Sequence, residues 1–217
     1  MRVVIAGGHG KIAQLVEREL AGRGDNAVGL VRNPDHTATL RALGAHPALV
    51  DLEHAGVDEV AGHLVGADAV IFAAGAGPGS DAARKDTVDR AAAVLLADAA
   101  QAAGVRRYLL VSSMGVGDAP AADTGDVWAA YLRAKKAAED DLRGRDLDWT
   151  VLRPGQLTDD PPTGRVHLAD TAPREAVTRT DVARVLVALL HHPGTAGRTL
   201  ELVGGNTPIA DAVAAVS

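Results

Sequence analysis

Short runs rich in Val and Ile alternate along this chain with longer stretches rich in Ala, Leu and charge, and this alternation limits the fold more than any other feature. The runs fall at 3–6, 27–31, 48–50, 69–73, 108–111, 150–152 and 199–203. They are apolar at consecutive positions rather than at every second one, as strands covered on both faces must be. The stretches 11–22, 86–103, 127–142 and 181–191 are long enough for helices. They keep apolar residues on one face, for example Val88, Ala92, Leu95, Leu96 and Ala99. Strand and helix in repeated alternation predict an α/β chain with a doubly wound parallel sheet and right-handed crossovers. No break in composition marks a linker, so a single domain over 1–217 is expected. A Pro- and Gly-rich stretch with Gly155 and Pro161-Pro162 is expected to form a small lid, 154–178, over the carboxyl edge of the sheet.

Composition removes several function classes. Among 217 residues there are five aromatic rings, two Trp, two Tyr and one Phe, too few for stacking platforms that bind single-stranded nucleic acid. Twenty-two basic against 28 acidic residues leave a net charge of -6, which disfavours a phosphate-backbone binder. With no Cys there is no disulfide and no thiolate metal site. A signal peptide needs about 7–15 apolar residues and a membrane span about 18 or more. No run of either kind occurs, so a soluble cytoplasmic protein without a membrane or nucleic-acid partner is expected. The eight histidines show no ligand spacing, so no metal is expected. His191-His192 suit a helix C-terminus, and Glu139-Asp140-Asp141 reads as a solvated face.

The first strand runs into Gly7-Gly8-His9-Gly10-Lys11-Ile12-Ala13 and then a helix. Gly7 permits a tight turn, Gly10 lets a pyrophosphate approach the backbone, and Ala13 lets the helix pack closely on the sheet. The helix N-terminus then offers free N–H groups to phosphates. In this strand–loop–helix context the pattern predicts dinucleotide binding. His9 is expected to point to solvent. An NAD-preferring site carries an acid at the end of the second strand. Here that position is Arg32, followed by Asn33 and Pro34, and a guanidinium can pair with a 2′-phosphate. NADP(H) is therefore expected in preference to NAD(H).

Tyr131 and Lys135 are spaced i, i+4 on a predicted helix and so share a face. A nearby ammonium favours phenolate, and a tyrosine tuned that way can exchange a proton with a carbonyl or hydroxyl. Ser112-Ser113 end the fifth strand, at the sheet edge where sites of this architecture form. Trp149 is expected in the core, and packing is the expected role of Trp128.

Taken in order, Gly7-x-x-Gly10, Val31-Arg32-Asn33-Pro34, Asp51-Leu52, Val111-Ser112-Ser113-Met114-Gly115, Tyr131-x-x-x-Lys135 and Arg153-Pro154-Gly155 resemble the short-chain dehydrogenase/reductases. The similarity is greatest to their atypical NAD(P)H-binding branch, often labelled sugar epimerase or NAD(P)-dependent epimerase/dehydratase. The resemblance covers nearly the whole chain. It implies a Rossmann fold, with Gly7, Gly8, His9, Gly10, Lys11 and Ile12 forming the cofactor loop. It implies that Asp51 and Leu52 bracket the adenine and that Ala73, Ala74 and Gly75 line the cofactor. Arg153, Pro154 and Gly155 would border the nicotinamide. It also implies Tyr131 as the acid/base, Lys135 as its tuner and a ligand of the nicotinamide ribose, and Ser112 or Ser113, with Ser113 favoured, as the partner of the substrate oxygen. The chain departs from the pattern at Asp89, where catalytic members carry Asn, which puts the usual proton relay in doubt. It is also short of the residues that extended epimerases use for a sugar-nucleotide domain.

Two functions are consistent with this reading. One is an NADP(H)-dependent oxidoreductase or epimerase, acting as monomer or homodimer on a small carbonyl, hydroxyl, quinone or flavin-like molecule. The other is a non-catalytic NADP(H)-binding redox sensor, for which Tyr131 and Lys135 would be needless.

Overall fold

The computed structural model describes every residue except Pro78, Ser80 and 119–124, with only the backbone of Ala82. All seven expected strands are present, as β1 (Arg2–Ala6), β2 (Asn26–Val31), β3 (His46–Leu49), β4 (Ala69–Phe72), β5 (Arg107–Val111), β6 (Asp148–Pro154) and β10 (Arg198–Gly204). They lie parallel in the order β3-β2-β1-β4-β5-β6-β10. The chain crosses from the β3 edge back to β4 beside β1, so β1 and β4 flank the point where the strand order reverses. Ligands of open α/β sheets bind outside the carboxyl ends of the strands at that point.

Side chains alternate across the sheet, which gives two cores. Val3 and Ile5 of β1 join Ile71, Leu109 and Leu152 beneath α1 (Lys11–Gly22) and α7 (Arg179–Leu190). Val4 and Ala6 join Val70, Phe72, Tyr108 and Leu110 beneath α3 (Val57–Leu64), α5 (Ala92–Ala102) and α6 (Asp126–Arg143). Both cores are mainly Ala, Val and Leu. The two large rings are buried in the second, where Tyr108 places its hydroxyl on the Ala93 carbonyl at 3.1 Å. Trp149 packs against the same core.

The stretch 154–178 contains more regular structure than an open lid. β8 (Arg165–Ala169) extends the main sheet antiparallel to β10 and is followed by the short β11 (Thr207–Pro208). β7 (Gln156–Thr158) and β9 (Ala176–Thr178) pair with each other. Period-two burial of β8, with Val166 and Leu168 inward and Arg165 and His167 outward, is the pattern of an antiparallel strand with one face exposed. The segment expected as one helix over 86–103 is built in two parts, a π-helical segment (Lys85–Ala91) and α5, with the short α4 (Ala82–Arg84) leading into it. A π turn inside a helix re-aims the side chains around it and is common at functional sites.

Candidate active site

Two cavities lie side by side over the carboxyl edge and share the wall formed by Ala73, Ala74, Gly75 and Ala76. They form one groove across the end of β4. The first, about 290 Å³, is bounded by the glycine loop and the ends of β2 and β3. The second, about 930 Å³, is bounded by the π-helical segment, the start of α6 and the end of β6.

The glycine loop is held open by geometry. Gly7 has a φ of 79°, and a Cβ there would lie 2.6 Å from Ala74 Cα, so only glycine fits between the ends of β1 and β4. Gly10 begins α1 with no side-chain cap, and the first turn contains no acid. The free N–H end of the helix therefore suits an anionic ligand, and the residues present fit a dinucleotide pyrophosphate. Gly7, His9 and Gly10 line the first cavity, and Ile12 lines the second. Gly8 lies beneath, donating to the Leu30 carbonyl at 3.0 Å. Lys11 lines neither cavity; its amine reaches Asp159 at 2.7 Å. His9 departs from its expected solvent position. Its ring stacks on His36 at 3.5 Å between centroids and 6° between planes. Burial, and then the neighbouring imidazole, hold its pKa below the ordinary histidine value.

Arg32, Asp51 and Leu52 line the first cavity. Three further residues there were not singled out in the sequence: Glu53, Arg84 and His36. Glu53 accepts from Arg32 at 2.8 Å, from Arg84 at 3.1 Å and from the Thr87 hydroxyl at 2.9 Å. Glu53 is two residues past the motif position, and Arg84 comes from an element more than 30 residues away, so spacing gave no signal for the group.

In the second cavity Tyr131 and Lys135 share one face of α6. The Lys135 amine lies 5.8 Å from the Tyr131 ring centroid and donates to the Val111 carbonyl at 3.1 Å. Asp89, from the π-helical segment, faces the same amine at 3.3 Å. Its other oxygen accepts from the Ala76 N–H at 3.2 Å. Lys135 and Asp89 are almost wholly buried, at 4% and 0% side-chain exposure, so each is the counter-charge that makes the other tolerable. The amide of an Asn would not supply that charge.

The two serines separate. Ser112 lines the cavity, but its hydroxyl donates to Glu139 at 2.6 Å, which leaves its oxygen only accepting capacity toward a ligand. Ser113 donates to the Met114 carbonyl at 3.2 Å and lies outside the cavity wall. Glu139 itself corrects the expected solvated face. It is fully buried, held by Arg153 at 2.9 and 2.6 Å and by Arg143 at 2.7 Å. Arg153 is thereby turned away from the groove, and its hydrogen bond to Glu139 raises its pKa. Of the Arg153-Pro154-Gly155 trio only Pro154 reaches the cavity. Gly155 serves a close backbone approach, where a side chain would collide with the Glu175 carbonyl. Trp128 is at the cavity wall rather than packed away. It is half exposed and stacks on Tyr131 at 5.0 Å between centroids. Lys85, which the sequence reading passed over, is buried there too.

Comparison with known proteins agrees with this architecture. The model of an NAD(P)H-binding family matches residues 7–193. The chain belongs to that family. It is 32% identical to the uncharacterized sugar epimerase YhfK of Bacillus subtilis over 98% of this chain and 99% of that one. Among solved structures, a Bacillus halodurans protein named for the NAD-dependent epimerase/dehydratases superposes with a TM-score of 0.91 at 34% identity, covering 99% of both chains. The oxidoreductase ylbE of Lactococcus lactis superposes with a TM-score of 0.87 at 25% identity, over 99% of this chain and 96% of that one. No helix among the described residues is long and apolar enough to cross a membrane.

Proposed function

We propose that this member of the NAD(P)H-binding family is an oxidoreductase that prefers NADP(H) and acts on a small carbonyl or hydroxyl compound. The observation that carries the reading is the convergence of Tyr131, Lys135 and Asp89 in a cavity continuous with the glycine loop. In this reading the first cavity takes the adenosine end of the cofactor and the second takes the nicotinamide with the substrate. The bound nicotinamide supplies or accepts the hydride. Tyr131 supplies the proton: its hydroxyl donates to the carbonyl oxygen as the carbonyl carbon is reduced, and takes it back in the reverse direction. Lys135 holds positive charge near the ring, and Asp89 holds Lys135 in place. Ser112, already donating to Glu139, can only accept, so it would hold a donor group of the substrate other than the reacting oxygen. The preference for NADP(H) rests on Arg32 and Arg84, two guanidiniums that share the Glu53 carboxylate on a wall of the first cavity that also carries Asp51.

The test is NADPH oxidation with a panel of aldehydes, ketones and quinones, on the wild type and Tyr131→Phe. Turnover falling by about 10²–10⁴ in the variant, with NADPH affinity within twofold, is the expected result. NADPH binding with no turnover on any acceptor would leave the protein a cofactor-binding sensor instead.

A further inference from the structure

Lys85 is a buried charged group in the second cavity that the proposed chemistry does not use. It begins the π-helical segment, and only 9% of the residue is exposed. Its amine donates to the Gly77 carbonyl at 2.9 Å and stands 5.4 Å from the Tyr131 ring centroid. Among the described residues it has no ion pair. Asp89, four residues on, is committed to Lys135 on the same cavity wall. The other acid lining the cavity, Asp126, is exposed at the start of α6. Among the described residues, the buried part of the cavity therefore carries one positive charge more than it cancels. A carbonyl and a ring face attract an ammonium but do not neutralise it, and a buried charge calls for a partner of opposite sign.

Part of the remaining wall is apolar and presents flat rings. Ile12, Val127, Pro154 and Leu157 line the cavity together with the Trp128–Tyr131 stack, whose planes are inclined by 30°. We infer that the second cavity takes a planar substrate bearing a carboxylate, with the carboxylate on Lys85 and the flat body against Trp128 and Tyr131. A single ammonium without a counter-charge matches a singly charged carboxylate. A phosphate would call for the several donors that the glycine loop offers and this wall lacks. The anion then sits beside the Tyr131 ring, so Lys85 would select and align the substrate while Tyr131 moves the proton. This rests on the oxidoreductase reading for the word substrate, but the anion site stands or falls by itself.

The experiment is calorimetric titration of the protein, saturated with NADPH, with 2-naphthoate and with 2-naphthalenemethanol, a neutral ligand of similar shape. The wild type is expected to bind the carboxylate at least about tenfold more tightly, the scale of one charge-assisted hydrogen bond. Lys85→Gln, which keeps a donor for the Gly77 carbonyl, is expected to erase the preference while holding the alcohol within twofold. Lys85→Arg is expected to retain it. Equal binding of the two ligands by the wild type, or a preference that survives in Lys85→Gln, would overturn the inference. Neither ligand has a reducible carbonyl, so failure of every acceptor in the turnover assay defeats the oxidoreductase reading and leaves this result untouched.

Discussion

At one end of the groove Arg32, Arg84 and Glu53 hold one another near the surface, and at the other Lys135 and Asp89 meet out of reach of solvent. Both are clusters of opposite charge, and their energetics differ because their surroundings differ. In the first cavity water screens the pairs, each worth about 0–1 kcal/mol, so the partners can be exchanged for a ligand. In the second, removing either partner strands a charge in low dielectric. The first cluster is suited to reading a ligand, and the second to holding a catalytic geometry fixed.

Removing one acid from each end gives the largest contrast. Asp89→Ala should destabilise the fold by about 3–5 kcal/mol, because Lys135 remains buried with no counter-charge. Glu53→Ala should cost no more than about 1 kcal/mol. Urea unfolding of both variants measures the difference. Similar losses would mean that Lys135 and Asp89 are no more coupled than an exposed pair.

A buried acid lies under the first cavity and sharpens the comparison through pH. Glu17 of α1 is fully buried against Gly8 and Gly29, and among the described residues neither carboxylate oxygen has a hydrogen-bond partner. Burial pushes its pKa up from 4.5 to about 8. Between those values the folded chain keeps the proton and the unfolded chain has lost it. Folding therefore takes up a proton across that window. Stability from this group is complete below pH 4.5, falls by up to about 1.4 kcal/mol per unit as pH rises, and levels off above pH 8. Glu17→Gln should match the wild type near pH 5 and exceed it by a few kcal/mol at pH 8, read from denaturant midpoints. A constant difference between the two proteins at both pH values would show that Glu17 is not neutral in the fold.

The same contrast explains what could be read from the sequence. The seven parallel strands announce themselves because each is apolar on both faces, and Gly7, Gly10, Arg32, Tyr131 and Lys135 sit at offsets that local geometry dictates. The segments α2 (Thr37–Ala42), α3 and α8 (Ile209–Ala215) were passed over, being short helices with few turns over which a period can show. β8 was hidden because its alternation sits within a stretch dominated by Pro and Gly. The roles of Glu53, Arg84, Glu139 and Lys85 depend on which distant element faces them. For Lys85 the cause is also a π turn, which helical periodicity does not anticipate. Glu139 shows the limit most plainly: beside Asp140 and Asp141 it reads as surface, yet Arg153, Arg143 and Ser112 converge on it from β6, its own helix and the end of β5.

The smallest expected effect is also the one that tests the reading role of the first cavity. If Arg32 and Arg84 recognise a 2′-phosphate, Glu53 competes with that phosphate for both guanidiniums. Glu53→Gln frees them while keeping the side chain's size, so NADPH should bind up to about fivefold more tightly, the worth of one exposed ion pair, with NADH affinity unchanged. Arg32→Glu should do the reverse and weaken NADPH more than NADH. Paired titrations of both variants with the two cofactors read the signs directly. Equal shifts for NADPH and NADH would sink the assignment, since a group that reads the 2′-phosphate cannot act alike on a cofactor that lacks one. The opposite response of the two variants would instead place cofactor choice in the balance of two arginines and one glutamate, a balance the surface end of the groove can shift and the buried Lys135–Asp89 pair cannot.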